Sequence, residues 1–131
     1  MKNILLLGGS TQQIPAIMCA QEVGYYTIVC DYLDDNPGQF VADKFYLEST
    51  TDKDKILEIA MKENIDGIVA YASDPAAYVS NELNLPSDKY SSVEILSQKH
   101  LFRNFLRENN FNCPKSKEFK SCRAYSIKGK Y

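Results

Sequence analysis

The chain has 131 residues, 44% hydrophobic and 24% charged, and a formal net charge of −2 that hides a steep asymmetry. Residues 1 to 97 hold 6 Lys and Arg against 15 Asp and Glu, a balance of −9, whereas residues 98 to 131 hold 9 against 2, a balance of +7. The length suits one domain that folds without staples; no apolar run approaches the roughly 20 residues of a membrane span, and the basic end lacks the interleaved aromatics of a nucleic-acid surface.

The terminal Met-Lys-Asn leads straight into Ile4-Leu5-Leu6-Leu7, four apolar residues that read as a strand buried on both faces. No signal peptide is read there, and a cytoplasmic location is expected. Gly8 and Gly9 then make a turn, Ser10 or Thr11 can cap a helix, and Ile14, Ile17, Met18 and Val23 recur at roughly helical spacing. Backbone N–H groups at such a turn and the helix dipole favour an anionic ligand. Gly24 suits the helix C-terminus, and Tyr25 to Cys30 is a second strand ending at Asp31. Leu33 to Gly38 is dense in turn formers. Phe45 to Leu47 is a short third strand, and Thr51 or Asp52 opens a helix that carries Ile56, Leu57, Ile59 and Ala60 on one face.

Ile65 to Ala72 supplies a fourth strand, followed by Ser73, Asp74 and Pro75, with Asp74 capping a helix through Leu83. Val93, Ile95 and Leu96 lead through Gln98 and Lys99 into Leu101, Phe102, Phe105 and Leu106, one amphipathic helix ending near Asn109 and Asn110. Lys115 to Tyr131 is basic and poorly patterned. A β-α-β-β-α-β-α order with apolar strands predicts an α/β fold, a Rossmann-like doubly wound, mostly parallel sheet with helices on both faces. The charge shift divides it into residues 1–97 and a helix with a basic connection at 98–131. Ligands of such sheets bind at the carboxyl ends of the strands, so Gly8, Gly9, Ser10, Asp31, Ser73 and Asp74 are expected on one rim.

No catalyst assembles from the remaining residues. Cys19, Cys30, Cys113 and Cys122 show no CxxC pairing and read as buried or incidental thiols, and with one histidine no zinc site is expected. His100 has no cysteine or serine partner, Asp34 and Asp35 sit in a turn, and no P-loop lysine occurs. Gly8 to Gln13 does not supply G-x-G-x-x-G, although Asp31 stands where a dinucleotide fold places its ribose-binding acid.

Taken in order, Ile4 to Gln13, Ala20 to Tyr25, Asp31, Asn36-Pro37-Gly38, Val41-Ala42-Asp43, Ile65 to Ile68, Ser97-Gln98-Lys99 and Asn112-Cys113-Pro114 resemble the amino-terminal, pre-ATP-grasp domain of ATP-grasp ligases. The resemblance spans residues 3 to about 120 and includes the large chain of carbamoyl-phosphate synthase and the phosphoribosylglycinamide-type carboxylate–amine ligases. It implies ATP-dependent formation of an acyl phosphate and its capture by an amine or ammonia, with ATP and Mg2+ as cofactors of the complete enzyme. It further implies that Lys99 reaches the ATP phosphates and that the rim of Gly8, Gly9, Ser10, Asp31, Ser73 and Asp74 faces a small carboxylate substrate. The lid and magnesium-binding domains of that family lie beyond these residues, so the chain alone is expected to be inactive. A hydrophobic face is expected to meet those missing domains or another copy, a homodimer. Two other readings stand beside this one: a dinucleotide-binding oxidoreductase domain, and a non-enzymatic interaction module.

Overall fold

In the computed structural model, which describes residues 1–70 and 74–115, the chain runs β1 (Lys2–Leu7), α1 (Ile14–Glu22), β2 (Tyr25–Asp31), α2 (Gly38–Val41), β3 (Lys44–Leu47), α3 (Lys53–Lys62), β4 (Gly67–Ala70), α4 (Pro75–Glu82), α5 (Tyr90–Ser97) and α6 (Lys99–Glu108). The four strands form one sheet in the order β3-β2-β1-β4, and every pairing is parallel. Leu5, Leu7, Ile28 and Cys30 point to one face, where they pack with Ile56, Ile59 and Ala60 of α3 and Val79 of α4. Leu6 and Val29 point to the other, against Ile17 of α1, with Val41 and Ala42 of the α2 region alongside. A strand buried on both faces cannot alternate, and the run of leucines in β1 follows from that.

Three expectations change. The connection between β2 and β3 holds a short helix, α2, that begins at the last residue of the stretch read as turn, which is how 12 residues return the chain for a parallel pairing. The described part of the fourth strand is only Gly67–Ala70; Ile65 is buried at its entrance, and Tyr71 and Ala72 lie outside the described residues. The single helix expected from Val93 to Asn109 is two, because Gln98 takes extended dihedrals of φ −98° and ψ 110°. The hydrophobic periodicity runs through this break and gives no warning of it.

The start of α3 and the ends of α1 and α6 fall where the sequence places them. Asp52 caps α3 by accepting from the Lys55 N–H at 3.1 Å. Gly24 after α1 has φ +89°, and Asn64, Asn84 and Asn110 take the same left-handed position after α3, α4 and α6. Each asparagine is followed by a bond from the next N–H back to the helix, Ile65 to Ala60, Leu85 to Ser80 and Phe111 to Leu106. This is the Schellman arrangement, with asparagine in the place glycine usually holds.

The chain divides into two compact units, Met1–Glu94 and Ile95–Tyr131. In the first, a polar knot ties α1 to β2 and the start of β3. Fully buried Thr27 donates its N–H (2.8 Å) and hydroxyl (2.7 Å) to Asp43 Oδ2, while Gln21 Nε2 reaches Val41 O at 2.9 Å. The Thr27 bonds, the N–H first, hold the Asp43 carboxyl below its ordinary value of 3.8. A carboxyl depressed by folding adds stability that is present above its unfolded pKa and lost as pH falls through the folded one. The urea midpoint of the wild type is therefore expected to drop as pH falls below about 4. Asp43→Asn should be less stable at neutral pH and lose less on acidification; parallel curves for the two proteins would show that the knot is not titrating.

Candidate functional site

Because all four strands run the same way, their carboxyl ends share one edge. The order β3-β2-β1-β4 means that the chain moves outward from β1 to β2 and β3, then returns through α3 to the other flank of β1. Such a reversal opens a crevice between the carboxyl ends of two neighbouring strands, here β1 and β4, where Leu7 pairs with Ala70. Among the described residues, the rim around it is built from the loops after β1 and β2 and from Asp74 at the start of α4.

The loop after β1 is pinned from below. Gly8 takes φ +103° and donates its N–H to Cys30 O at 2.8 Å, continuing the β1–β2 ladder one residue further. Gly9 donates its N–H to Asp31 Oδ2 at 2.6 Å. Asp31, only 3% exposed, also accepts from the Leu33 N–H on Oδ1 at 3.0 Å and from Asn36 Nδ2 on Oδ2 at 2.8 Å. The N–H groups expected to face a ligand at the two glycines are thus turned inward, and the anion at the turn is the protein's own carboxylate. Negative charge beside backbone donors satisfies both without solvent, which is why the acid can be buried.

Gly38 closes the other side of this clasp. Its N–H donates to Gly9 O at 2.7 Å, and a Cβ built on it would lie 2.6 Å from Gly9 Cα. The first turn of α2 therefore rests directly on the glycine loop, with Asn36 and Gly38 on either side of Pro37. Neither Asn36 nor Gly38 stood among the expected site residues, although both fall in the Asn-Pro-Gly run that marks the turn; periodicity carries no signal for a backbone-to-backbone contact.

Ser10 and Thr11 do not cap α1. The N-cap is Gln13, whose side chain makes no capping bond, and the helix opens with Pro15 in its first turn. A tight turn intervenes, closed by the Gln13 N–H on Ser10 O at 2.9 Å, and it carries the Ser10 hydroxyl onto Gln13 Oε1. Ser10 and Gln13 are both half-buried and lie at the β1 side of the crevice.

Across the rim, Asp74 is the N-cap of α4 but makes no side-chain capping bond, in contrast to Asp52; Pro75 at the first helical position sets the start instead. Ser73 lies outside the described residues. A cation that the sequence did not single out stands at the start of α3: Lys53 donates to the Tyr90 hydroxyl, with its Nζ 4.5 Å from the Tyr90 ring centre and 5.6 Å from that of Tyr78. The two rings meet edge to face at 5.6 Å. The bond to Tyr90 raises the Lys53 pKa, and the carboxylates of Glu94 and Asp74 add to it. Lys53, Tyr78 and Tyr90 lie far apart in sequence, so only the fold brings them together.

Lys99 is in the second unit, exposed, as the first residue of α6. The Cys30 thiol, in β2, is buried, and burial together with the charges of Glu48 and Asp31 pushes it up to about 12, which removes it as a nucleophile. Cys122 lies outside the described residues.

No protein-family profile matches the sequence, and no curated protein does. Solved structures do. The chain is similar to phosphoribosylglycinamide synthetase from Anaerococcus prevotii, with a TM-score of 0.74 and 20% identity over 83% of this chain and 29% of that one. It is similar to N5-carboxyaminoimidazole ribonucleotide synthetase from Thermotoga maritima, with a TM-score of 0.68 and 23% identity over 92% of this chain and 34% of that one. The chain shares the fold of the amino-terminal domain of ATP-grasp ligases. L-amino acid ligase from Bacillus licheniformis matches as well, with a TM-score of 0.67 and 16% identity over 87% of this chain and 32% of that one. The chain spans about a third of the length of these proteins. Identities of this size carry the architecture, and the all-parallel sheet agrees with the doubly wound fold expected from the sequence.

Proposed function

We propose that this chain supplies the substrate-side domain of an ATP-dependent carboxylate–amine ligase. The observation that carries the reading is the reversal of strand order between β1 and β4, in a fold shared with about a third of the length of several such ligases. In this reading Ser10 and Gln13 on one side and Asp74 on the other contact a small carboxylate-bearing substrate, with Gly8 and Gly9 as the floor. Asp31 holds that floor and does not touch the ligand. Lys99 neutralises ATP phosphates in the complete enzyme; a lysine at the first position of a helix adds its charge to that of the N-terminal dipole. A structure of N5-carboxyaminoimidazole synthetase from Staphylococcus aureus holds ADP and shares this fold. Among the described residues no three acidic, histidine or cysteine side chains gather to hold a metal, so no step is assigned here to magnesium.

The oxidoreductase reading loses its two supports, because the Gly9 N–H and the Asp31 carboxylate, which would take the pyrophosphate and the ribose, are spent on each other. The test is a titration of the isotope-labelled chain followed by amide shifts, with a panel of phosphoribosyl and amino-acid carboxylates, ATP, and NAD. Carboxylates are expected to shift Ser10, Gln13 and Asp74. ATP should act on the residues around Lys99 only weakly, and that effect should be lost in Lys99→Ala. Rim shifts produced by NAD alone, or ATP turnover by the chain that is abolished by Lys99→Ala, would overturn the reading.

A further inference from the structure

β4 stands at one end of the sheet, so one of its edges is open. The register fixes which of its backbone groups face outward. The Gly8 N–H bonds to Cys30 O, so Leu6 and Gly8 look towards β2, and Leu5 and Leu7 look towards β4. Leu5 stands opposite Ile68 and Leu7 opposite Ala70. In a parallel ladder a residue bonds to the two neighbours of the one it faces, so β1 takes the N–H and C=O groups of Gly67 and Val69. Those of Ile68 and Ala70 point away from the sheet, and no bond from another described residue reaches them. Open edges are commonly guarded by a charged side chain or a proline. Ile68, Val69 and Ala70 supply neither, and Val69 is 38% exposed.

A groove of about 370 Å³ lies against this edge, lined by β4, by Ala76, Ala77 and Ser80 of α4 and by the loop at 86–88. Ser80 is 3% exposed, and its hydroxyl has no partner among the described residues; the Leu85 N–H bonds to its carbonyl instead. A buried hydroxyl that meets nothing is destabilising, and native chains keep few of them.

These features select the occupant. Outward N–H and C=O groups that recur every second residue, about 6.6 Å apart, match another extended backbone. The alanines beside the Ser80 hydroxyl leave room for a small polar side chain. Asp88 is the one charged residue among those that line the groove, within a sequence that carries −9 up to residue 97, so a cation is drawn there. A second copy would bring its own Asp88 and the same negative balance against this edge.

We propose that β4 takes an extended segment of a basic partner protein as a fifth strand, with main-chain bonds for affinity and side chains for selection. The segment pairs with the N–H and C=O groups of Ile68 and Ala70. Its serine or threonine meets the Ser80 hydroxyl, and its lysine or arginine meets Asp88.

The probe is a short capped peptide in which threonine alternates with valine between terminal lysines, titrated into the isotope-labelled full chain. In the free chain the Ile68 and Ala70 amides are expected to exchange about ten-fold or more faster than those of Gly67 and Val69, and the peptide to slow the first pair selectively. The fully N-methylated peptide should not bind. Ser80→Ala should leave the urea midpoint of the free chain unchanged or higher, because no bond is lost, and weaken the peptide by about five-fold. Asp88→Asn should weaken it by about three-fold, with less effect at high salt. Ile68 and Ala70 amides already protected in the free chain overturn the proposal, as does a peptide that fails to slow them at about 1 mM. Protection that rises with the concentration of the chain alone points to a second copy and overturns the basic partner. Equal binding by Ser80→Ala overturns the role of its hydroxyl.

Discussion

Gly38→Ala is expected to destabilise the protein by about 2 to 3 kcal/mol, against the sign that its position suggests. Alanine in a helix normally gains up to about 1 kcal/mol over glycine, and the φ of Gly38 is not in the left-handed region, so no dihedral strain opposes the change. Space opposes it. The new Cβ would meet Gly9 at 2.6 Å from Cα and 2.7 Å from the carbonyl oxygen, and these are backbone atoms that cannot swing aside. Overpacking a rigid contact costs about 1 to 3 kcal/mol, and here the two loops can separate only by stretching the Gly38 N–H bond to Gly9 O and with it the seat of Gly9 on Asp31. Two comparisons isolate the cause. Gly67→Ala, with nothing within 4 Å and no positive φ, should be close to neutral, and Gly24→Ala, equally open but at φ +89°, should show dihedral strain alone, about 1 kcal/mol. Urea unfolding of the three proteins decides it; a Gly38→Ala variant as stable as Gly67→Ala would mean that the clasp is loose.

The same contact marks the limit of what the sequence discloses. Strand identity was legible wherever burial forces composition: Leu5, Leu6 and Leu7 can only be a doubly covered strand, and Tyr25 to Asp31 follows it at the distance of one helix. Asp52 and Gly24 were legible because a cap and a left-handed turn select residue types locally. What failed were features decided by partners far along the chain. Asp74 looks like Asp52 in sequence, yet its side chain caps nothing, because its backbone is already helical (φ −66°, ψ −26°), whereas Asp52 holds the extended dihedrals (φ −83°, ψ 98°) from which a cap side chain reaches an N–H of the first turn. The two glycines fit an anion cradle equally well whether the anion comes from outside or from Asp31, and only the fold shows Asp31 beneath them. The break at Gln98 is invisible for the opposite reason, since a hydrophobic stripe persists across a kink that does not change which residues are apolar.

Asp31→Ala should cost about 3 kcal/mol or more, and Asp31→Asn about 1 to 2 kcal/mol, because the two remove different shares of one network. Alanine deletes both oxygens and leaves the Gly9 N–H, the Leu33 N–H and the Asn36 amide without their acceptor in a place that is 3% exposed. Asparagine keeps one oxygen, but its NH2 group must then face a donor on whichever side the amide is turned: Gly9 and Asn36 on one, Leu33 on the other. Asn36→Ala removes a single donor and should be the mildest of the three. Since Gly9 and Asn36 share Oδ2, the effects of Asp31→Asn and Asn36→Ala should be non-additive in a double-mutant cycle. A positioning role and a ligand-contact role separate in the readouts. If Asp31 seats the glycine loop, Asp31→Asn will speed hydrogen exchange at the Gly9 amide in the unliganded chain and lower the urea midpoint. If Asp31 instead serves a ribose or an amine, the unliganded chain will keep its Gly9 protection and its stability while ligand-induced shifts at Ser10 and Gln13 vanish. The three donors already gathered on this carboxylate favour the first outcome.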